Sequence, residues 1–253
     1  MPYYEREKEL LDLIMRQERV SIKDLQQREY VSKSTLRRDL IRLEEKGLIV
    51  RTHGGVIPVI KAVDTLLPFY LREDEQKNEK QNIAGRAARL VHDGDIIMLD
   101  SSTSAYKIVP YLTQFKNLVV ISSGARTACL LGELGIKNIC SGGEMITNSF
   151  SLVGESAIRT VSSYNADIVF FSCRGLSEDG FLSDSSTEEN AVRRAMIEHA
   201  KRRVLLCSSD KIGQKYLQNI CRVSEIDNII CDKELPAEIV AKLRKTKNNE
   251  KAL

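Results

Sequence analysis

The stretch VSKSTLRRDLIRLEEKGLIVRTHGGV, residues 31–56, decides the fold of the first part of the chain. Ser32 suits the N-cap of a helix, because its hydroxyl can accept a first-turn amide. Leu36, Leu40 and Leu43 follow at four- and three-residue spacing and share one helical face. Lys33, Arg37, Arg38 and Arg42 lie off that stripe, with only Asp39 opposing them, and a face of this kind suits phosphates and base edges. Gly47 reads as the C-terminal cap. Leu48-Ile49-Val50-Arg51 then reads as a strand, Thr52-His53-Gly54-Gly55 as a turn and Val56-Ile57 as the returning strand of a hairpin.

Working back toward the start, Leu10, Leu13 and Ile14 recur at helical spacing and predict a helix from Tyr4 to about Gln17. Ser21-Ile22-Lys23-Asp24 matches the S-x-x-[DE] capping box and predicts a second helix to about Arg28. Glu29-Tyr30-Val31 breaks it from the third. Three short helices and a hairpin over residues 1–58 make a winged helix-turn-helix, in which the second helix of the pair enters the major groove. The candidate DNA contacts are Ser32, Lys33, Ser34, Thr35, Arg37, Arg38 and Arg42 on the helix, and Arg51 and His53 on the wing.

Working forward, residues 59–76 hold no clear period, and Pro68 with Arg72-Glu73-Asp74-Glu75 marks a linker that is helical in part. Residues 77–235 alternate helical stretches with short apolar runs, namely Ile96-Leu99, Leu118-Ile121, Asn138-Cys140, Ile168-Phe171, Val204-Cys207 and Asn228-Cys231. Continuously apolar strands between helices predict an α/β domain with a largely parallel sheet covered on both faces. Small and polar residues recur after the runs. Asp100, Ser101, Ser102, Thr103 and Ser104 come first, then Ser122, Ser123 and Gly124, then Gly142 and Gly143, Arg174 and Gly175, and Asp210 and Lys211. Ligands bind at the carboxyl edge of such sheets, so these residues are candidates to hold a phosphorylated metabolite. Lys211 supplies a compact positive charge, Asp100 or Asp210 can accept from sugar hydroxyls, and Glu188 opens the helix that ends near His199. Arg174 either grips a phosphate or fills the site by pairing with Glu188 or Glu189. Residues 236–253 read as a C-terminal tail, within which Lys242 to Lys251 is basic, lacks a helical apolar stripe and is expected to fray.

The 31–56 stretch resembles the signature of DeoR-type bacterial regulators, with Ser32, Thr35, Arg37, Arg38 and Asp39 on its signature positions. NEKQNIAGRAARLVHDGDIIMLDSSTS, the Gly142-Gly143 pair, ADIVFFSCRGLSEDGFLSD and TEENAVRRAMIEHAKRRVLLCSSDKIG are similar in order and spacing to that family's sensor domain. The resemblance implies a winged helix-turn-helix before a sensor fold related to phosphosugar isomerases, and a sugar phosphate as effector. The chain departs from the pattern in three places. Ser102 and Ser104 stand where Gly and Thr are usual, Ser122-Ser123-Gly124 replaces Thr-Asn-Ser, and Cys173-Arg174 replaces small or acidic residues.

Composition bounds the rest. A chain of 253 residues accommodates two domains, and 42% hydrophobic with 29% charged residues is ordinary globular usage. The net charge of +3 does not by itself mark a polyanion partner. Six scattered cysteines, with no CxxC pair, read mostly as buried thiols and call for no metal. No apolar run approaches the length that spans a bilayer, and the charged start is no signal peptide, so no membrane partner and a cytoplasmic protein are expected. There is no P-loop and no GxGxxG fingerprint, so no cofactor is called for.

The sequence therefore predicts a non-enzymatic, sequence-specific DNA-binding regulator. It is read as a repressor of a carbohydrate operon, controlled by a sugar phosphate and acting on operator DNA as a homo-oligomer, dimer or tetramer. Two alternatives stand beside it. One is a phosphosugar isomerase-like enzyme with an accessory DNA-binding head, and the other a constitutive DNA binder whose sensor has degenerated.

Overall fold

Residues 3–15, 20–28, 32–45, 48–52, 54–58 and 68–249 are described by the computed structural model. They fall into two units, Met1–Leu71 and Arg72–Leu253.

In the first unit α1 (Tyr3–Met15) buries Leu10, Leu11 and Ile14, and β1 (Val20–Ser21) leads into α2 (Ile22–Arg28), which buries Leu25. Ser21 caps α2 by accepting the Asp24 amide at 3.0 Å. The expected reciprocal half of the capping box is absent. The Asp24 carboxylate accepts the Ser21 hydroxyl at 2.6 Å instead of a backbone amide. Helix α3 (Lys33–Glu45) buries Leu36, Leu40 and Leu43, as the spacing predicts. The hairpin of β2 (Ile49–Thr52) and β3 (Gly55–Pro58) joins β1 in a sheet of order β1-β3-β2. Val20, Leu48, Ile49 and Val56 complete the core under the three helices. Gly47, His53 and the Glu29-Tyr30-Val31 break lie outside the described residues, as do residues 59–67 of the linker.

The second unit begins within α4 (Phe69–Asp74) and continues through α5 (Lys77–Ala88), β4 (Ile96–Leu99), α6 (Thr103–Tyr106), α7 (Val109–Leu112), β5 (Val119–Ser122), α8 (Ala125–Glu133) and β6 (Asn138–Cys140). A hairpin of β7 (Glu144–Ile146) and β8 (Ser151–Val153) precedes α9 (Glu155–Ser162) and β9 (Ala166–Ser172). Then come β10 (Gly175–Leu176), β11 (Phe181–Asp184), α10 (Thr187–Glu198), β12 (Ala200–Cys207), β13 (Gln218–Arg222), β14 (Asn228–Cys231) and α11 (Ala237–Asn249).

The six apolar runs form one parallel sheet of order β14-β12-β9-β4-β5-β6. Its strands alternate between two cores. Met98, Ile121, Val169, Phe171 and Leu205 face α9, α10 and the small antiparallel sheet β10-β11-β13, while Ile97, Leu99, Val120, Ile168, Phe170 and Leu206 face α5, α6 and α7. Each such fully buried side chain contributes roughly 1.5–3 kcal/mol, which is why both sheet faces read as apolar. Cys173, Cys207, Cys221 and Cys231 are buried, in line with most of the six reading as buried thiols, while Cys129 and Cys140 are exposed.

The expected tail is corrected. Pro236 precedes a helix, α11, that buries Ile239 and seats Leu243 against the core, so the second unit does not end near 235. Among the described residues no helix is long and apolar enough to cross a membrane.

The order of the parallel sheet locates a site. Numbered along the chain, the strands run outward in one direction from β4 to β6 and in the other from β9 to β14. Strand order therefore reverses between β4 and β9, the point at which open sheets of this kind bind their ligands. Asp100 and Ser172-Cys173-Arg174 stand at that point.

Candidate nucleic-acid interface and candidate effector site

Helix α3 presents Lys33, Ser34, Arg37 and Arg38 exposed. Ser32 Oγ accepts the Thr35 amide at 3.2 Å and is 2.9 Å from each of the Ser34 and Thr35 hydroxyls, so its first task is the cap. Arg38 Nε reaches back to the Ser34 carbonyl at 3.4 Å. Among the described residues nothing holds the Arg37 guanidinium, which leaves its fork available to a partner outside the chain.

One sequence reading needs correction here. Asp39 does not oppose the basic face but is buried, with the Arg6 fork on it at 2.6 and 3.1 Å. The reason is its spacing, three residues after Leu36 and four before Leu43, which places it on the buried stripe. Arg42 leans the same way, 3.7 Å from Asp39 and 3.9 Å from Glu7, and thus shares the anions that join α3 to α1. On the wing, Arg51 is also engaged: its Nε and Nη2 each lie 2.6 Å from Glu44 Oε2, and its amide donates to Glu44 Oε1 at 3.1 Å. Those bonds from Arg51 hold the Glu44 carboxyl below its usual range.

At the switch point, Asp100 is fully committed within the chain. Its Oδ1 accepts from the Ser102 amide and hydroxyl at 3.1 and 2.5 Å, and its Oδ2 from the Ser172 amide at 3.1 Å and Arg193 Nε at 3.0 Å. The expectation that Asp100 accepts from a sugar is therefore not met by this arrangement. Arg193, absent from the sequence reading, is the centre of a buried cluster. It also lies 3.4 Å from Asp184 and 3.8 Å from Glu189 and donates to Asn190 at 2.6 Å. These carboxylates together drive the Arg193 pKa up against the opposing effect of its burial, which is the largest single influence.

Arg174 pairs with neither Glu188 nor Glu189. Its Nε lies 3.4 Å from Asp184 and its guanidinium 5.9 Å from the Tyr216 ring. Glu188 is exposed at the first turn of α10, where it accepts from the Thr187 hydroxyl at 3.1 Å, and Glu189 is the buried one, accepting from Ser151 at 2.7 Å. The glycines also have internal reasons. Gly143 takes a φ of +96° and has no room for a Cβ beside the Val153 carbonyl, and a Cβ on Gly175 would come within 2.5 Å of the Gln214 carbonyl oxygen. Gly142 is left-handed at +67° with open space around it. Gly124 is the N-cap of α8, and its amide donates to Ser122 Oγ at 3.0 Å.

Ser101, Ser102, Thr103, Ser104, Ser122 and Ser123 are all buried. Ser102 caps α6 through the Ala105 amide at 3.1 Å, and Thr103 donates to the Arg72 carbonyl at 3.3 Å. The Arg72 carbonyl also receives Lys80 Nζ. Lys80 is a second residue that the sequence reading missed. It is 5% exposed, and Lys211, on the far side of the switch point, donates to Ser172 at 2.8 Å. Asp210 beside it is exposed. Burial first, then the Lys211 charge and more weakly Arg72, push the Lys80 pKa down to about 8 against the opposite pull of Glu75 and Asp210. Like charges gathered at a dry edge are stabilised by an anion, and Ser208 Oγ is buried at the end of β12 without a hydrogen-bond partner among the described residues.

A test in pH follows. The folded Lys80 value of about 8 lies below the ordinary 10.5, so the folded protein binds fewer protons between those limits. The contribution of Lys80 to stability is complete above 10.5 and lost as pH falls through 8. Lys80→Met is expected to gain on the wild type by on the order of 3 kcal/mol between pH 10 and pH 7. Denaturant unfolding across that range measures it, and a constant difference between the two proteins refutes it.

An exposed basic helix beside a wing, in a chain whose second unit gathers cations at the switch point of a doubly wound sheet, is the arrangement of a ligand-responsive DNA-binding regulator. The model of the DeoR-like helix-turn-helix domain matches residues 6–61 and that of the DeoR C terminal sensor domain residues 75–233, so the chain belongs to the DeoR family. It is a DNA-binding transcriptional regulator. Among its relatives, the HTH-type transcriptional regulator GolR of Listeria innocua is 31% identical over 95% of each chain. The HTH-type transcriptional repressor GlcR of Bacillus subtilis is 32% identical over 88% of this chain and 86% of its own, and the glycerol-3-phosphate regulon repressor of Escherichia coli is 27% identical over 95% of each. Among solved structures, the chain is similar to ribose 5-phosphate isomerase A of Methanocaldococcus jannaschii, with a TM-score of 0.42 at 17% identity over 54% of this chain and 55% of that one.

Proposed function

We propose that this regulator is a cytoplasmic, non-enzymatic repressor of carbohydrate genes. It binds operator DNA as a homo-oligomer through Lys33, Ser34, Arg37 and Arg38, and it is controlled by a phosphorylated sugar at the β4–β9 switch point. The observation that carries the effector reading is Lys80, a buried lysine beside Lys211 and Arg72 whose pKa falls to about 8, because a phosphate dianion is the natural partner for such a group. The repressor and carbohydrate readings draw on the relatives named as repressors, among them the one named for the glycerol-3-phosphate regulon. Paired heads on a symmetric operator motivate the oligomer. The commitment of both Asp100 oxygens within the chain speaks against this residue as the general base of an isomerase.

Thermal unfolding with a panel of pentose, hexose and triose phosphates tests the effector. One member at about 100 times its Kd is expected to raise the midpoint by about 5–10 °C, and Lys80→Ala or Lys211→Ala to abolish the rise. No shift with any sugar phosphate, together with unchanged operator binding, leaves a constitutive DNA binder instead.

A further inference from the structure

Glu44 is an anion in an unexpected place. Arg37 and Glu44 are seven residues apart on α3, close to two full turns, so both stand on the face that carries Lys33 and Ser34. An unmasked carboxylate there would repel a phosphate backbone. Glu44 is not unmasked, because the wing strand β2 brings three donors to it. Arg51 offers Nε at 2.6 Å, Nη2 at 2.6 Å and its own amide at 3.1 Å. The pair is about one-third exposed on each side and so lies at the surface. Arg51 is fixed both by its strand, where it opposes Val56, and by this fork.

We propose that Glu44 is a positioning residue of the DNA-binding surface, holding the Arg51 guanidinium of the wing against the end of the recognition helix so that helix and wing meet DNA as one face. The inference rests on the reading of α3 as the DNA-contacting helix. Its physical content is ordering. A free arginine on a wing must be immobilised at each binding event, whereas one already forked by a carboxylate retains outward-facing donors in a fixed place. The same pairing neutralises a carboxylate that stands two turns from Arg37 on its side of the helix.

The test uses the full-length protein and a DNA fragment selected from a random pool by the wild type, with affinity measured as a function of salt. Glu44→Ala is expected to weaken binding about five- to tenfold, the loss that goes with re-immobilising one long side chain. It is also expected to reduce the steepness of the salt dependence by about one phosphate contact. Arg51→Ala is expected to do the same, and the double variant to do no more than either alone. Glu44→Gln, which keeps an acceptor for Arg51, is expected to keep the wild-type salt slope. Thermal unfolding of each variant establishes that it is folded.

Tighter or unchanged binding by Glu44→Ala overturns the proposal, since Glu44 then only repels DNA or does nothing. Additive losses in the double variant overturn it too, as does a Glu44→Gln variant that loses the contact. Arg37→Ala is measured alongside. If it binds like wild type, the recognition-helix reading itself fails; if it loses DNA while Glu44→Ala does not, only the positioning role fails.

Discussion

Arg193→Ala is expected to destabilise the second unit by about 3–5 kcal/mol, because it strips the central cation from a buried set of carboxylates, of which, among the described residues, Asp184 alone keeps a second, Arg174. Asp100, Asp184 and Glu189 all face Arg193, and all are 5% exposed or less. Removing one member of a buried ion pair leaves the others desolvated without compensation, which costs far more than the pair contributes when intact. In a domain of this size the thermal midpoint is expected to fall by on the order of 10 °C. Arg193→Lys, which keeps the charge and loses the fork, is expected to fall between. Urea unfolding followed by circular dichroism measures both, and an alanine variant within 1 kcal/mol of the wild type would show that the carboxylates find other partners. The same loss releases the Asp100 loop, so any residual fold should lose its effector-dependent stabilisation as well.

Arg37→Ala is expected to lower affinity for the selected DNA by about ten- to a hundredfold, the value of one bidentate contact to a base. The double variant Arg37→Ala/Arg38→Ala is expected to bind no better than to unrelated DNA. Stabilisation by the effective sugar phosphate should persist in both, since that site lies in the other unit. Fluorescence anisotropy at fixed salt, paired with thermal unfolding, reads the two properties separately. Loss of the sugar-phosphate response with intact DNA binding would refute the assignment. Arg42→Ala is expected to cost less, because Arg42 already leans on Asp39 and Glu7.

Much of the architecture is legible in residue spacing. The leucines of α3, the cap at Ser32 and the six apolar runs each appear as expected, because long-period signals and continuous hydrophobicity reflect burial directly. Strands β7, β8, β10, β11 and β13 do not announce themselves: each is two to five residues long and set among loop residues. The sites show one systematic omission. Glu7, Lys80 and Arg193 draw no reading from the sequence and Asp39 is set against the basic face, yet each is buried. Their positions tell why. Glu7 precedes Leu10, Leu11 and Ile14, Lys80 precedes Ile83, Ala84 and Ala87, and Arg193 precedes Met196 and Ile197, all at helical spacing. A charge on an apolar stripe was therefore visible; its partner, drawn from a distant strand or helix, was not. Glu44 is the converse, a residue on the polar face whose meaning depends on a wing strand seven residues away.

The bonds that occupy Asp100 bear on how a signal would be transmitted. Ser102, Ser172 and Arg193 already fix the loops that leave β4 and β9 before any effector arrives. Were an effector anion to bind at Lys80 and Lys211, as proposed, little conformational entropy would be left to lose, and its binding free energy would not be consumed in folding a disordered pocket. That free energy remains available to favour one arrangement of the regulator over another, which is the quantity that sets the size of an allosteric response.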